Sequence, residues 1–406
     1  MNQLYVGIDV SSRNNVTYVM KPDGSKHSEF SVANNLPGAK ELSFRVCQAL
    51  DELQLDSVIF GMEATSIYGE HLARALREDG SLGKFNRKIF VINPKQVRKY
   101  REILPELPKN DFIDAYVIAD SLRFGRILPR EYVENNVYES LKTLTRTRLA
   151  LIQKQADAKQ KLANLLFQKC SSLAQDNVFG GISTTFLNLM ECFDSVDDLA
   201  NLSLPELTSF IAGSGRGRFK DPDAIAKAVQ AAVHGSYRLP KVMNDSVNQA
   251  LSLYVSLIQT LKVQIDALDT SIEKHFDIIP NGLKTIPGIG KVYSAGIIAE
   301  IGDVSRFDSH ASLAKYAGLV WSQHQSGNYE AESTHLIKSG NRYLRYYLLE
   351  AANSVRRCDS EFKRYYDLKY KEVNRGQHKR ALALTARKLV RLIFRLLKDN
   401  RLYSAR

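Results

Sequence analysis

An α/β domain, a helical coiled-coil middle region and a mainly α C-terminal domain make up the fold class that this sequence predicts. Three observations predict it. Short apolar runs that end on an acid alternate with helical patterns over residues 1–128. Apolar residues three and four apart then continue for several heptads within residues 129–278. The last stretch, residues 279–406, opens on a Pro-Gly-Ile-Gly turn and carries a concentrated excess of Lys and Arg.

In the first portion, Leu4 to Val10 is an apolar run closing on Asp9, and Ser57 to Met62 is a second one leading into Glu63. Their length and their β-branched and aromatic content predict buried strands. Val16 to Met20 follows at hairpin distance, and His27 to Val32 supplies a third strand. A helix is expected over 38–53, another over 67–77, and a strand over 88–92. Asn93-Pro94 starts a further helix, with proline in its first turn. Lys109-Asn110-Asp111-Phe112-Ile113-Asp114 opens the next, and acids three apart share one helix face. A three-strand meander followed by helix–strand alternation is the element order of an RNase H-like domain.

The middle region reads as two long helices with an insertion between them. Leu251, Tyr254, Ile258, Leu261, Ile265, Leu268 and Ile272 form an a/d seam. Leu144, Leu151, Ala158, Leu162 and Leu165 form a similar one, broken by Arg148 and Gln155. The two seams can pack together within one chain or pair between chains. Arg216, Arg218 and Lys220 make a small basic patch in the insertion, read as a solvated turn.

The C-terminal portion begins Thr285-Ile286-Pro287-Gly288-Ile289-Gly290-Lys291 and continues into a helix over 292–301. Such a turn leaves backbone N–H groups free at a helix N-terminus, where they can hold a phosphate, as in helix-hairpin-helix binders of the DNA backbone. A tight connector is the bland alternative. Further on stand Gln325-Ser326-Gly327 and Lys338-Ser339-Gly340-Asn341-Arg342-Tyr343-Leu344-Arg345. From the residues alone Ser326 is a turn serine, because serine needs an activating base and no Ser-His-Asp order is present. His324 and His335 lie near it in sequence.

Composition narrows the partners. The net charge is +12 over 406 residues, which favours nucleic acid first and an acidic membrane surface second. Between Arg356 and Arg406 there are 16 Lys or Arg against 5 Asp or Glu, so the charge is not evenly spread. Lys379, Arg380, Arg387, Lys388, Arg391 and Arg395 place much of it on one helical stretch. Cys47, Cys170, Cys192 and Cys358 are far apart and form neither a zinc pattern nor a disulfide framework. Asp9 interrupts any signal-peptide core, and no apolar run approaches the roughly 20 residues that span a bilayer. A soluble, cytoplasmic, nucleoid-associated protein is expected.

Asp9, Glu63, Asp111 and Asp114 carry the chemistry. Carboxylates at strand ends and on one helix turn suit Mg²⁺, which takes hard oxygen ligands, and a pair of such ions assists phosphoryl transfer. Taken singly, Asp111 reads as a helix N-cap and Glu63 as a surface acid.

Gly7-Ile8-Asp9-Val10-Ser11, Gly61-Met62-Glu63-Ala64-Thr65, Asn93-Pro94 and the Asp111–Asp114 segment resemble the N-terminal half of the DEDD transposases of bacterial insertion sequences. These are relatives of the Piv DNA invertases and include bridge-RNA-guided recombinases. The Pro287–Gly290 turn, Tyr316-Ala317-Gly318-Leu319, Gln325-Ser326-Gly327 and the 338–345 motif resemble that family's C-terminal transposase domain. The resemblance covers essentially the whole chain. It implies a RuvC-like N-terminal domain whose metal-binding, catalytic tetrad is Asp9, Glu63, Asp111 and Asp114, with Mg²⁺ as cofactor. It implies that Ser326 is the nucleophile that becomes joined to DNA. This chain departs from the Ser-Ser-Gly or Ser-Thr-Gly-Gly of relatives, which leaves Ser322 and Ser333 as outside alternatives. Asn110 stands where relatives have Thr. DNA contacts are expected at Gly288, Gly290, Lys291, Lys338, Arg342, Arg345, Lys379 and Arg380. Partners implied are the element's ends and target DNA, a guide RNA in part of the family, and further copies of the chain as a dimer or tetramer. Three rivals stay open. One is a RuvC-like nuclease that uses water. Another is an actin-like or sugar kinase, which would need a second glycine-rich Asp loop that the sequence lacks. The third is a non-catalytic DNA-binding scaffold.

Overall fold

The computed structural model describes residues 3–404 apart from 65, 66, 105, 106, 109, 126–130, 133, 134, 177, 182, 194, 216, 322–324, 327, 328, 331–335 and 338, with backbone alone at 325, 326, 329 and 330. The chain divides into two compact units, Met1–Glu134 and Asn135–Arg406.

The first unit runs β1 (Leu4–Val10), β2 (Asn14–Met20), β3 (Lys26–Ala33), α1 (Leu36–Glu52), β4 (Ser57–Glu63), α2 (Tyr68–Glu78), β5 (Asn86–Ile92), α3 (Pro94–Arg101) and α4 (Asp111–Phe124). The strands form one mixed sheet in the order β3-β2-β1-β4-β5, antiparallel from β3 to β1 and parallel from β1 to β5. That is the order of the expected RNase H-like fold. Helix α1 starts two residues before the expected position because the Asn35 side chain accepts the Gly38 N–H at 2.9 Å and Pro37 sits in the first turn.

Alternation along the strands divides the core into two layers. Leu4, Val6, Ile8 and Val10 of β1 and Val58, Phe60 and Met62 of β4 pack with α1 and α2. Tyr5, Met20 and Ile59 pack with α3 and α4 on the other face. Gly7 and Gly61 belong to that second face and sit side by side in the sheet. A Cβ on Gly7 would lie 2.0 Å from the Ala115 carbonyl oxygen, and one on Gly61 would lie 2.4 Å from Leu122. The two glycines therefore let α4 lie directly on the sheet.

The second unit is mostly helical. It contains α5 (Asn136–Lys169), the short helices α6 (Ser171–Gln175), α7 (Thr184–Cys192), α8 (Val196–Ala200), α9 (Leu204–Gly215) and α10 (Pro222–His234), and then α11 (Lys241–Phe276). After these come α12 (Lys291–Ile301), α13 (His310–Tyr316), the two-residue strands β6 (Val320–Trp321), β7 (Gln325–Ser326), β8 (Tyr329–Glu330) and β9 (Leu336–Ile337), and α14 (Arg342–Cys358), α15 (Ser360–Lys371) and α16 (Gln377–Asp399).

Helices α5 and α11 pack along each other within the chain. Their run is antiparallel, since the start of α5 (Leu141) clusters with the end of α11 (Ile272, Phe276) while Leu162 and Leu166 cluster with Val247 and Leu251. Five seam residues of α11 are buried as expected, at Leu251, Ile258, Leu261, Ile265 and Ile272, and Val255 is buried in place of the half-buried Tyr254. On α5 the stripe differs from the expected one. Leu141, Thr145 and Leu149 are buried while Leu144 and Leu151 are half-buried. The reason is a second partner, because α12 also packs on α5 and rotates the buried face toward both neighbours.

The pair links two cores: one of α6–α10 with the distal half of the pair, the other of α12–α16 with its proximal end. A boundary at 278/279 would cut the second of these cores, since Ile272 and Phe276 pack with Ile279 and Leu283. Among the described residues no helix is long and apolar enough to cross a membrane.

Candidate active site

The site follows from strand register. Gly7 pairs with Gly61 and Ile8 with Met62, so the next residues, Asp9 and Glu63, are neighbours on adjacent strands about 4.8 Å apart. Each acid lies two residues beyond its glycine and so faces the same side, under α4. The glycines that admit the helix thus also bring its first turn onto the acids.

Asn110 caps α4 by accepting the Ile113 N–H at 2.8 Å. This corrects the reading of Asp111 as the N-cap: the shorter, uncharged Asn110 takes that role and leaves the Asp111 carboxylate unspent. Asp111 and Asp114 occupy the first helical turn, where the helix dipole favours negative charge.

Asp9 and Glu63 feel both their burial and their acidic neighbours. The Asp9 carboxyl is raised to about 6, first by burial and then by the charges of Asp114 and Asp111. Glu63 is raised to about 7, again by burial first and then by Asp9 and Asp114. Such a cluster is short of positive charge. Arg101, at the end of α3, forms an ion pair with Asp114, and its Nη2 donates to the Pro108 carbonyl at 3.0 Å. Sequence reasoning missed Arg101. The signal was the basic run Lys95, Arg98, Lys99 and Arg101 just before the acidic helix.

The donor set fits a hard divalent cation: oxygen ligands only, from two strands and a helix, with repulsion that a cation would relieve. Their side chains do not close on a point as placed. Among the described residues no group of three or more His, Cys, Asp or Glu is gathered tightly enough to hold a metal ion. Arg101 occupies Asp114 instead.

The other sequence-predicted residues lie in the second unit. Ser326 falls in β7, its backbone paired with Tyr329; its side chain lies outside the described residues, as do Ser322, His324, Ser333, His335, Lys338 and Arg216. The base of that segment is closed. β6 pairs with β9, the Asn341 N–H donates to the Tyr316 carbonyl at 2.7 Å, and Gly318 and Gly340 cross with positive φ of 69° and 137°. Asn341 caps α14 through Tyr343 and Leu344, and its Nδ2 donates to Glu300 at 2.6 Å. Glu300 is fully buried and accepts two hydrogen bonds from Arg146 at 2.7 and 2.9 Å.

Gly288 has φ +89° and stands against Ser354 and Val355 of α14, so its missing side chain is already required by packing. Gly290 faces open space and ends in an α12 N-terminus with no side-chain cap. The segment before this turn is a single 3₁₀ turn, Leu283–Thr285, between Pro280 and Pro287. Lys291 pairs with Glu273. Arg342 is exposed and stacks on Tyr343 at 4.8 Å. Arg345 turns inward and donates to the Ala317 carbonyl at 3.3 Å. Lys379 is exposed, and Arg380 is exposed and paired with Glu372 at 2.9 Å.

Two family profiles match the chain. One, described as transposase, covers residues 6–170 and so spans all four acids. The other, described as transposase of the IS116/IS110/IS902 family, covers residues 281–367, from the glycine turn past Arg345. An insertion element IS116 protein of Streptomyces clavuligerus is 28% identical over 73% of this chain and 73% of its own. An insertion element IS110 protein of Streptomyces coelicolor is 24% identical over 99% of this chain and 96% of its own. The pilin gene-inverting protein of Moraxella bovis is 31% identical over 39% of this chain and 52% of its own. Among solved structures, T. thermophilus RuvC in complex with a Holliday junction substrate covers 32% of this chain and 99% of that one, at 13% identity and a TM-score of 0.25.

Proposed function

Because the chain belongs to the IS116/IS110/IS902 family of transposases, we propose that it cuts and rejoins DNA at the ends of an insertion sequence with an acidic tetrad and a serine nucleophile. One observation carries the first half of this reading. Asp9 and Glu63 stand side by side at the ends of β1 and β4, beneath the helix turn that carries Asp111 and Asp114, and burial together with the neighbouring acids raises their proton affinity.

Asp9, Glu63, Asp111 and Asp114 would hold Mg²⁺, which stabilises charge developing on a phosphodiester. The strand pair fixes Asp9 and Glu63, and the short approach over Gly7 and Gly61 fixes the helix that carries the other two. Arg101 neutralises Asp114 and would release that carboxylate to a bound cation. Ser326 attacks phosphorus, its hydroxyl proton is lost, and the 3′ oxygen leaves; the resulting phosphoserine conserves the bond for rejoining. Holding the serine beside its target contributes by proximity, an effect that reaches about 7–11 kcal/mol in well-oriented systems. DNA backbone contacts come from the α12 N-terminus at Gly290, from Arg342 and from the exposed basic side of α16. The proposal extends to further copies of the chain and to a non-coding guide RNA as partners, neither of which the chemistry requires.

The test is a covalent-adduct trap with the DNA that flanks the gene. Wild type is expected to give protein-linked DNA and Ser326→Ala none, with DNA binding retained. Cleavage without an adduct would favour water as nucleophile and return Ser326 to a turn residue.

A further inference from the structure

On the other face of the sheet, past the same strand ends, lies a cleft of about 460 Å³ between α1 and α2. Its floor is Ala39, Leu72 and Ala75, and its rim holds Leu36, Ile67, Tyr68 and His71. Leu36, Ile67 and Tyr68 are 63%, 69% and 46% exposed, an unusual gathering of large apolar surface around one opening. Arg74 and Ser12 add polar groups.

The opening is preformed. The Asn34 side chain donates to the Ser11 carbonyl at 2.8 Å and to the Tyr68 carbonyl at 3.3 Å, and accepts from the buried Asn15 at 3.3 Å. One amide thus ties the loop after β1 to the start of α2, on either side of the cleft.

Its place suggests the occupant. Ser12 is three residues beyond Asp9, and Ile67 four beyond Glu63. A chain spans at most about 3.6 Å per residue, so these lining residues stand within roughly 11–14 Å of the acids. That is about three to four nucleotide rises along one strand of a duplex. A base still paired in a duplex could not reach in between the two helices, whereas an unpaired one could turn in and stack on the Tyr68 and His71 rings.

We propose that this cleft binds an unpaired nucleobase of the DNA strand whose nearby phosphate lies at Asp9 and Glu63. The inference rests on the DNA-cutting reading above. A base held a few nucleotides away would keep the strand from sliding across the acids and would favour DNA that is locally unpaired.

The probe is a duplex with a short bulge in which 2-aminopurine replaces successive unpaired bases, mixed with the full-length protein. Wild type is expected to change the fluorescence at one or two neighbouring positions and to bind the bulged duplex more tightly than the perfect one. Tyr68→Ala should erase the positional signal and weaken bulge binding about 5- to 160-fold, the range for loss of one base stack. Tyr68→Phe keeps the ring and should behave as wild type, which separates stacking from misfolding. A uniform fluorescence change at all positions, or a Tyr68→Ala protein that still prefers the bulge, would overturn the proposal. Asp9→Asn serves as the separate arm. Metal-dependent cleavage surviving in that variant would sink the acidic-tetrad reading of the site, while the base-binding result stands or falls by the 2-aminopurine signal.

Discussion

At the scale of single residues, the raised carboxyls make a pH prediction whose sign is fixed. Asp9 and Glu63 have ordinary values of 3.8 and 4.5 and are raised to about 6 and about 7. Between about pH 4 and pH 7 the folded chain therefore holds protons that the unfolded chain has released, so these groups subtract from stability as pH rises through that window. Asp9→Asn removes one charge of the cluster. Without divalent cation, its melting temperature relative to wild type should improve from pH 4.5 to pH 8, and added Mg²⁺ should narrow the gap by stabilising wild type. An equal difference at both pH values would mean that the acids do not strain one another. Glu300 gives a second prediction. Arg146→Ala would leave a fully buried carboxylate without its cation, and breaking such a pair costs about 3–5 kcal/mol, measurable by denaturant unfolding.

At the scale of elements, the contact of α4 with the sheet is the feature on which the site depends. Gly7→Ala would drive a methyl group into the Ala115 carbonyl, and backbone cannot turn aside as a side chain can. Overpacking of this sort costs about 1–3 kcal/mol or more. It should also shift Asp111 and Asp114 away from Asp9. Weaker Mg²⁺ binding by calorimetry in a protein that still folds is the expected outcome; unchanged binding would show that the helix position is not what gathers the acids. The strand pattern and both acid-bearing strand ends were legible in the sequence because alternation and β-branched content are local signals. The rotated stripe on α5 was not. Leu144 and Leu149 look alike in sequence, and only the arrival of α12 decides which is buried.

At the scale of the whole molecule, the excess of 12 positive charges should make DNA binding steeply salt-dependent, with a log–log slope of roughly −0.9 for each duplex phosphate neutralised. Replacing Lys379, Arg391 and Arg395 by Gln should flatten that slope if the exposed side of α16 tracks the backbone. A slope unaffected by those changes would place the contacts elsewhere. The division into two units with separate cores further predicts more than one calorimetric transition, since separately packed cores need not melt together.

The sequence alone determined the family resemblance, the acids, the glycines ahead of them and the basic C-terminal stretch, because each is written in a few consecutive residues. It could not show that Asn110 rather than Asp111 caps the helix, that Gly288 is required by packing against α14, or that Arg345 points inward. Nor could it place Arg101 on Asp114 or open a cleft between α1 and α2. Each of these depends on which distant segment arrives alongside. That choice is made by burial of the whole core, where a contact is set by neighbours in space and leaves no periodicity in the chain.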